Sequence, residues 1–336
     1  MHKGDGCAHH IHLLTPDMSH HFTIQSAKLR ASVLAHIREF FRQRDVLEVD
    51  TPLLSHGTST DCYLDIFETR FHPGGYNDSD KSTTLYLQTS PELLMKRLLA
   101  QGFPDIFQIC KVFRNGEWGQ NHNHEFTMLE WYRKEMSMEE LIGEIAELCI
   151  SVLGKREVKC VSYQDIFRLS TGIDPLETSV EELLNYCSDK NRPPPDCLEK
   201  CDLLNYMMTE FVEPSMEKEV LLFVHNFPAP LAAMAKLNPQ NPDTALRFEL
   251  FHQGLEICNG YEELADCDEQ YKRMVQDNNK RLKLNKPKLP VDKRFIESIK
   301  HLPPCSGVAL GVDRLLMLAS NSSTIESVLP YIHKEC

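Results

Sequence analysis

From Ile24 to Arg44 the apolar residues Leu29, Val33, Ile37, Phe40 and Phe41 recur at helical spacing, which predicts an amphipathic helix. Val46–Val49 follows as a short strand, and Pro52 ends any regular ladder there. Residues 72–84 (HPGGYNDSDKSTT) are polar and turn-forming, and Leu85–Thr89 reads as a strand. Ser90-Pro91-Glu92 then opens a helix: Ser90 as N-cap, Pro91 at the first helical position, Glu92 in the first turn. Leu93, Leu94, Leu98 and Leu99 are its apolar residues. Asp105–Phe113 and Glu125–Tyr132 read as two strands of a hairpin with a long, polar, glycine-containing loop.

Further along, Met138–Leu153 is a predicted helix. Residues 163–215 are rich in Asp, Glu, Asn and Pro, including Pro193-Pro194-Pro195, and read as short helical pieces inserted into the core. Leu221–Val224 is a predicted strand, Leu246–Cys258 a single longer one, Cys267–Leu284 a charged surface helix and Phe295–His301 another short helix. Gly307–Leu310 reads as a small-residue strand running into a helix, Gly311–Ala319. Strands joined by hairpins, with helices elsewhere and no internal repeat, predict an α+β fold built on a mainly antiparallel sheet. The layout expected is a flexible tail, residues 1–22, and one domain, residues 23–336, with an insertion at about 163–215.

Lys and Arg total 36 against 49 Asp and Glu, a net charge of −13. That balance argues against a broad nucleic-acid footprint, which needs a basic stripe. No apolar run reaches bilayer length, and the first twenty residues lack an apolar signal core. The twelve cysteines are scattered, and the closest pair, Cys197 and Cys201, has no second pair at zinc spacing. Reduced thiols and a cytoplasmic location are expected. The histidine-rich start (His2, His9, His10, His12, His20, His21) reads as a mobile tail, with nothing near it to build a metal's outer shell.

Three segments carry candidate chemistry. Phe113–Arg133 (FRNGEWGQNHNHEFTMLEWYR) packs Arg114, His122, Phe126, Glu130 and Tyr132 around its loop. A forked arginine can bridge carboxylate and phosphate, Phe126 offers a stacking face, and His122 can neutralise phosphates. In Arg247–Leu264, a bulge or bend at Gly254 would bring Glu249 and Glu256 to one site, a pair suited to Mg²⁺ bridging nucleotide phosphates. There Asn259, Glu262 and Glu263 are read as following a tight Asn-Gly turn, with Glu262 a solvated acid. In Ser306–Leu318, small residues lead into a helix start carrying Asp313 and Arg314, where free backbone amides favour anions.

Together these segments resemble the signature motifs of class II aminoacyl-tRNA synthetases, specifically the lysyl subgroup. LEVDTP, in Val46–Pro52, is similar to the dimer-forming first motif, FRN…HNHEFTMLEWYR to the second and GVALGVDR to the third. The likeness runs from about residue 24 to 320. The phrases VLEVDTP, TSPE-x-x-MKRLL, EFTMLEWYR and CSGVALGVDR are nearer still to a paralogous family that activates (R)-β-lysine with ATP and attaches it to a lysine of elongation factor P. The core helix begins near residue 24, leaving no room before it for the lysyl enzymes' anticodon-binding domain. The acidic charge favours a protein partner over tRNA, and Ala309 stands where lysyl-tRNA synthetases carry Gly.

The resemblance implies roles. Ser90, Pro91 and Glu92 would contact the amino acid, Glu92 taking its backbone-side amine. Arg114 would hold the substrate carboxylate and the α-phosphate. Asn115, Gly116, His122, Asn123, Phe126 and Ile257 would contact ATP. Glu130, Tyr132, Asn259 and Glu263 would cage the distal ammonium above Ala309. Glu249 and Glu256 would carry Mg²⁺, and Gly311 and Arg314 would close over the nucleotide. Arg114 and Arg314 are the expected catalytic residues, in a homodimer. Two positions depart from the family pattern: Gly116 replaces an adenine-reading Glu, with Glu117 next to it, and His124 replaces Pro. The competing expectations are a truncated lysyl-tRNA synthetase charging tRNA or another carrier, and a binding module that has lost ATP.

Overall fold

The computed structural model describes residues 22–74, 81–195 and 199–332. The histidine-rich start, the tip of the 72–84 turn and Cys197 lie outside the described residues.

Eight strands form one sheet. In spatial order they are β1 (Leu47–Glu48), β5 (Ile106–Phe113), β6 (Glu125–Lys134), β11 (Cys305–Gly311), β10 (Leu255–Glu262), β9 (Thr244–His252), β8 (Leu221–Pro228) and β7 (Val158–Ser162). The two outermost pairs, β1 with β5 and β7 with β8, are parallel; every other pair is antiparallel. A smaller sheet holds β2 (Leu54–Ser55), β4 (Thr83–Leu87) and β3 (Glu68–Phe71). Antiparallel strands with helices on the faces are the α+β architecture the patterning predicts.

Side-chain alternation gives the large sheet two different faces. Leu129 and Trp131 of β6, Phe248 and Leu250 of β9 and Val308 and Leu310 of β11 enter one buried core. That core also takes the apolar stripes of α1 (Ile24–Arg42), α3 (Met138–Leu153) and α9 (Val312–Ala319). The opposite face carries the polar residues considered below. Strand β8 is buried on both sides: Leu221 and Phe223 join the main core. Leu222 and Val224 pack on α4 (Tyr163–Thr171), α5 (Val180–Asp189) and α6 (Lys200–Met207). Two buried faces explain its unbroken apolar run.

Two expectations are corrected. Leu246–Cys258 is not one strand: Gln253 and Gly254 both have positive φ (51° and 78°) and reverse the chain between β9 and β10. This is the dihedral pattern of a type I′ hairpin turn, which demands a residue such as Gly. Conversely, Asn259-Gly260 is not a turn but the middle of β10, paired on both sides. A Cβ on Gly260 would collide with the Phe248 ring and the Gly307 carbonyl, so this glycine serves close packing. Glu262 ends that strand in a 2.7 Å ion pair with Lys236 rather than in a loop. The helix after Ser90 is assigned as α2 (Glu92–Ala100), one residue later than the cap reading, yet Ser90 Oγ still accepts from the Glu92 amide at 3.0 Å.

Candidate active site

Register brings the three segments into one row. Glu130 of β6 faces Ala309 of β11, Ala309 faces Asn259 of β10, and Asn259 faces Glu249 of β9. These four neighbours point to the same face, opposite the apolar core. The next row is Tyr132, Gly307, Tyr261 and Arg247. From Glu130 to Glu249 is three strand spacings, roughly 14 Å. A bulge between Glu256 and Cys258 shifts the alternation and turns Glu256 to the Asn259 side. The row lies in a cavity of about 1150 Å³.

The Glu130 end of the row is dense with charge. Glu130 is buried, accepting from Ser90 Oγ at 2.6 Å and from the Tyr132 hydroxyl at 2.7 Å. Burial, then repulsion from Glu92, pushes its carboxyl up to about 7. Glu263 is raised by burial as well, although Lys96 opposes the shift. Lys96 Nζ stands 2.5 Å from Glu263 and 2.6 Å from Glu92. Burial works against its charge, but the two carboxylates more than compensate and hold it protonated. Asn259 presents a buried side-chain oxygen with no partner.

At the other end Arg114 leaves β5 toward the cavity, 3.4 Å from Glu117, with its guanidinium 5.1 Å from the centroid of the Phe126 ring. Its Nε is buried without a partner. Arg314, in the first turn of α9, donates to the Glu256 carbonyl at 2.7 Å and meets His122 Nε2 at 2.6 Å. Burial, then the Arg314 charge, lowers the His122 pKa and favours the neutral ring, so here the positive charge comes from arginine. Glu249 is held by Arg247 at 2.6 Å. Glu256 is the more exposed carboxylate, 3.6 Å from Arg314.

Ser90, Glu92, Arg114, His122, Asn123 and Phe126 all line this one cavity. So do Glu130, Tyr132, Glu249, Glu256, Ile257 and Asn259, and Glu263, Ala309, Gly311 and Arg314. Three expected residues are not among the lining. Pro91 is buried, its carbonyl accepting from the amides of Leu94 and Met95 to start the helix that aims Glu92. Asn115 is exposed, its amide bonded to the Asp65 carbonyl at 2.8 Å. Gly116 is exposed with φ +83°, the left-handed region where a longer side chain is strained. That conformation, with Glu117 in the cavity wall, accounts for the departure from Glu at this position.

Lys96, Arg247 and Tyr261 escaped the sequence reading. Lys96 is given no role there, and only its spacing of four from Glu92 signals a pairing. Arg247 and Tyr261 could have been read from period-two alternation with Glu249 and Glu263. Buried Asp313 accepts from the Thr127 amide at 2.7 Å and pairs with Arg30 at 2.5 Å, tying α1, β6 and α9 together. Away from the row, Glu199, Cys201 and Asp202 cluster at the cavity edge. Their charge is met by Lys283, 2.7 Å from Glu199, and Lys280, 2.6 Å from Asp202. The nine cysteines among the described residues are free thiols.

This face, with arginines from two motifs above a carboxylate-lined pocket, is that of a class II synthetase domain. Residues 8–335 match the family profile of class II tRNA synthetases (D, K and N), and the chain belongs to that family. Its curated relatives narrow the group. An elongation factor P–(R)-β-lysine ligase of Pasteurella multocida (strain Pm70) is 42% identical over 310 residues, 92% of this chain and 95% of that protein. Proteins of the same name from Haemophilus influenzae (strain PittGG) and Pectobacterium carotovorum subsp. carotovorum (strain PC1) are each 43% identical. They cover 92% and 90% of this chain, and 95% and 93% of their own length.

Proposed function

We propose that this protein is an adenylate-forming ligase that activates (R)-β-lysine with ATP and transfers it to the ε-amine of a lysine on elongation factor P. The observation that carries the reading is the cross-strand row Glu130–Ala309–Asn259–Glu249, which sets an amine pocket and a phosphate end on one sheet face. The names of the curated relatives support the substrate and the partner.

In the first step a carboxylate oxygen of the amino acid attacks the α-phosphorus of ATP and pyrophosphate leaves. The nucleophile is already ionised, so no general base is needed. Arg114 and Arg314 bind the developing charge, and catalysis is alignment plus electrostatic stabilisation. Phe126 stacks under the adenine. Glu92 takes the backbone-side amine, and Glu130 and Glu263 take the distal ammonium. Ala309 narrows the floor between them. In the second step the acceptor amine attacks the adenylate carbonyl, an amide forms, and AMP and a proton leave.

Glu249 and Glu256 are hard oxygen donors on adjacent strands opening on one cavity, a donor set that fits Mg²⁺. When bound, the ion would supply charge neutralisation for the nucleotide phosphates. We read residues 163–215 as an insertion on the core and the protein as a cytoplasmic homodimer. Exposed Leu47 on the large sheet's edge strand β1, and Leu53 and Leu54 at the edge strand β2 of the smaller sheet, support the dimer. Among the described residues no helix is long and apolar enough to cross a membrane.

Incubation with ATP, (R)-β-lysine and elongation factor P should raise the factor's mass by one β-lysyl residue. An unmodified factor overturns the proposal. Preference for α-lysine in pyrophosphate exchange, with acceptor activity on tRNA, would instead identify a truncated tRNA synthetase.

A further inference from the structure

Lys96 is 2% exposed and stands one helical turn along α2 from Glu92, which lines the cavity. Its ammonium bridges carboxylates from two separate segments: Glu92, one helical turn before it, and Glu263, just past the end of β10. Met234 Sδ lies 3.8 Å away on a third side. The neighbourhood has no slack. A Cβ on Gly307 would strike both the Tyr132 ring and the Glu263 carboxylate. Glu130, the third pocket carboxylate, is held only by hydroxyls, those of Ser90 and Tyr132. Three buried or half-buried carboxylates thus share one fixed cation, so a ligand that holds all three ionised must itself meet two negative charges.

We propose that Lys96 is the positioning residue that sets the spacing of the two substrate-amine sites: by clamping Glu92 to Glu263 it tunes the pocket to a diammonium ligand of one length. The inference rests on the reading above that Glu92 and Glu263 each take a substrate amine. The charge count selects for two ammonium groups, because an isolated buried carboxylate is costly and a monoamine leaves one unmet. The clamp selects for length. The amines of (R)-β-lysine are spaced as in 1,4-diaminobutane and those of α-lysine as in 1,5-diaminopentane. A pocket whose two acids cannot separate distinguishes these one-carbon differences.

The test is amino-acid-dependent pyrophosphate exchange by the full-length protein, with (R)-β-lysine and α-lysine as substrates and the two diamines as competitive inhibitors. For the wild type, 1,4-diaminobutane should inhibit at least threefold better than 1,5-diaminopentane; equal inhibition overturns the clamp without any variant. Lys96→Met should raise KM for (R)-β-lysine at least tenfold and bring the preference over α-lysine toward one, with KM for ATP within twofold. Lys96→Arg, which keeps the charge but changes the reach, should alter the preference at least threefold. A folded variant that keeps the wild-type preference within twofold overturns the inference and leaves the proposed function standing. No exchange by the wild type with either amino acid overturns both.

Discussion

Asp313→Ala should destabilise the protein more than any single change on its surface. Asp313 is 1% exposed; one carboxylate oxygen pairs with Arg30 and the other takes the Thr127 amide. Arg30 also reaches the Thr127 hydroxyl. Removing the carboxylate strands a half-buried guanidinium and orphans a buried N–H. Breaking a buried pair costs roughly 3–5 kcal/mol, of which roughly 1–3 kcal/mol belongs to the unsatisfied amide. At roughly 2 cal/mol/K of unfolding entropy per residue, each kcal/mol moves Tm by roughly 1.5 °C in a chain of this size, so the expected drop is roughly 4–8 °C. Calorimetry of Asp313→Ala, Arg30→Met and Arg30→Met/Asp313→Leu separates the two costs. The double variant removes both charges, so it should recover part of the loss but keep the amide's share. A drop below 2 °C for Asp313→Ala, or a double variant no more stable than Asp313→Ala, would refute this account.

Gly260→Ala should cost roughly 1–3 kcal/mol, because a methyl group there meets Phe248 and the backbone of β11; urea midpoints check it, and an unchanged midpoint would show that the strands yield. Glu130 is neutral below a pKa pushed up to about 7, so affinity for the amino acid should rise as pH climbs through that value, read as KM in pyrophosphate exchange. The same raised pKa makes the opposite contribution to stability in the ligand-free protein. It is fully present below the unfolded value near 4.5 and lost as pH rises through about 7. Relative to Glu130→Gln, wild-type Tm should therefore fall across that window. Arg114→Lys keeps the charge but loses the fork, and kcat for exchange should fall roughly 100-fold; a fall under fivefold would remove Arg114 from the reacting centre.

Short-range chemistry was legible in the chain itself. The stripe of α1, the capping set at Ser90 and the two long strands around Arg114 follow from local periodicity and turn residues, and they survive folding nearly unchanged. The motifs also named many of the residues that line the cavity. What one dimension could not carry was register and burial. Gln253-Gly254 and Asn259-Gly260 are both plausible turns in sequence. Only packing decides between them, because Gly260 must let Phe248 and β11 approach while Gln253 and Gly254 are free to take left-handed dihedrals. Pairing decides that Glu130, Ala309, Asn259 and Glu249, drawn from three separate segments between residues 113 and 318, share one row. Burial decides that Lys96, an ordinary helix cation by sequence, becomes the counter-charge of two pocket carboxylates. Residue types thus determined which chemistry this protein carries. The tertiary structure decided its arrangement, because strand register and desolvation depend on neighbours that are distant along the chain.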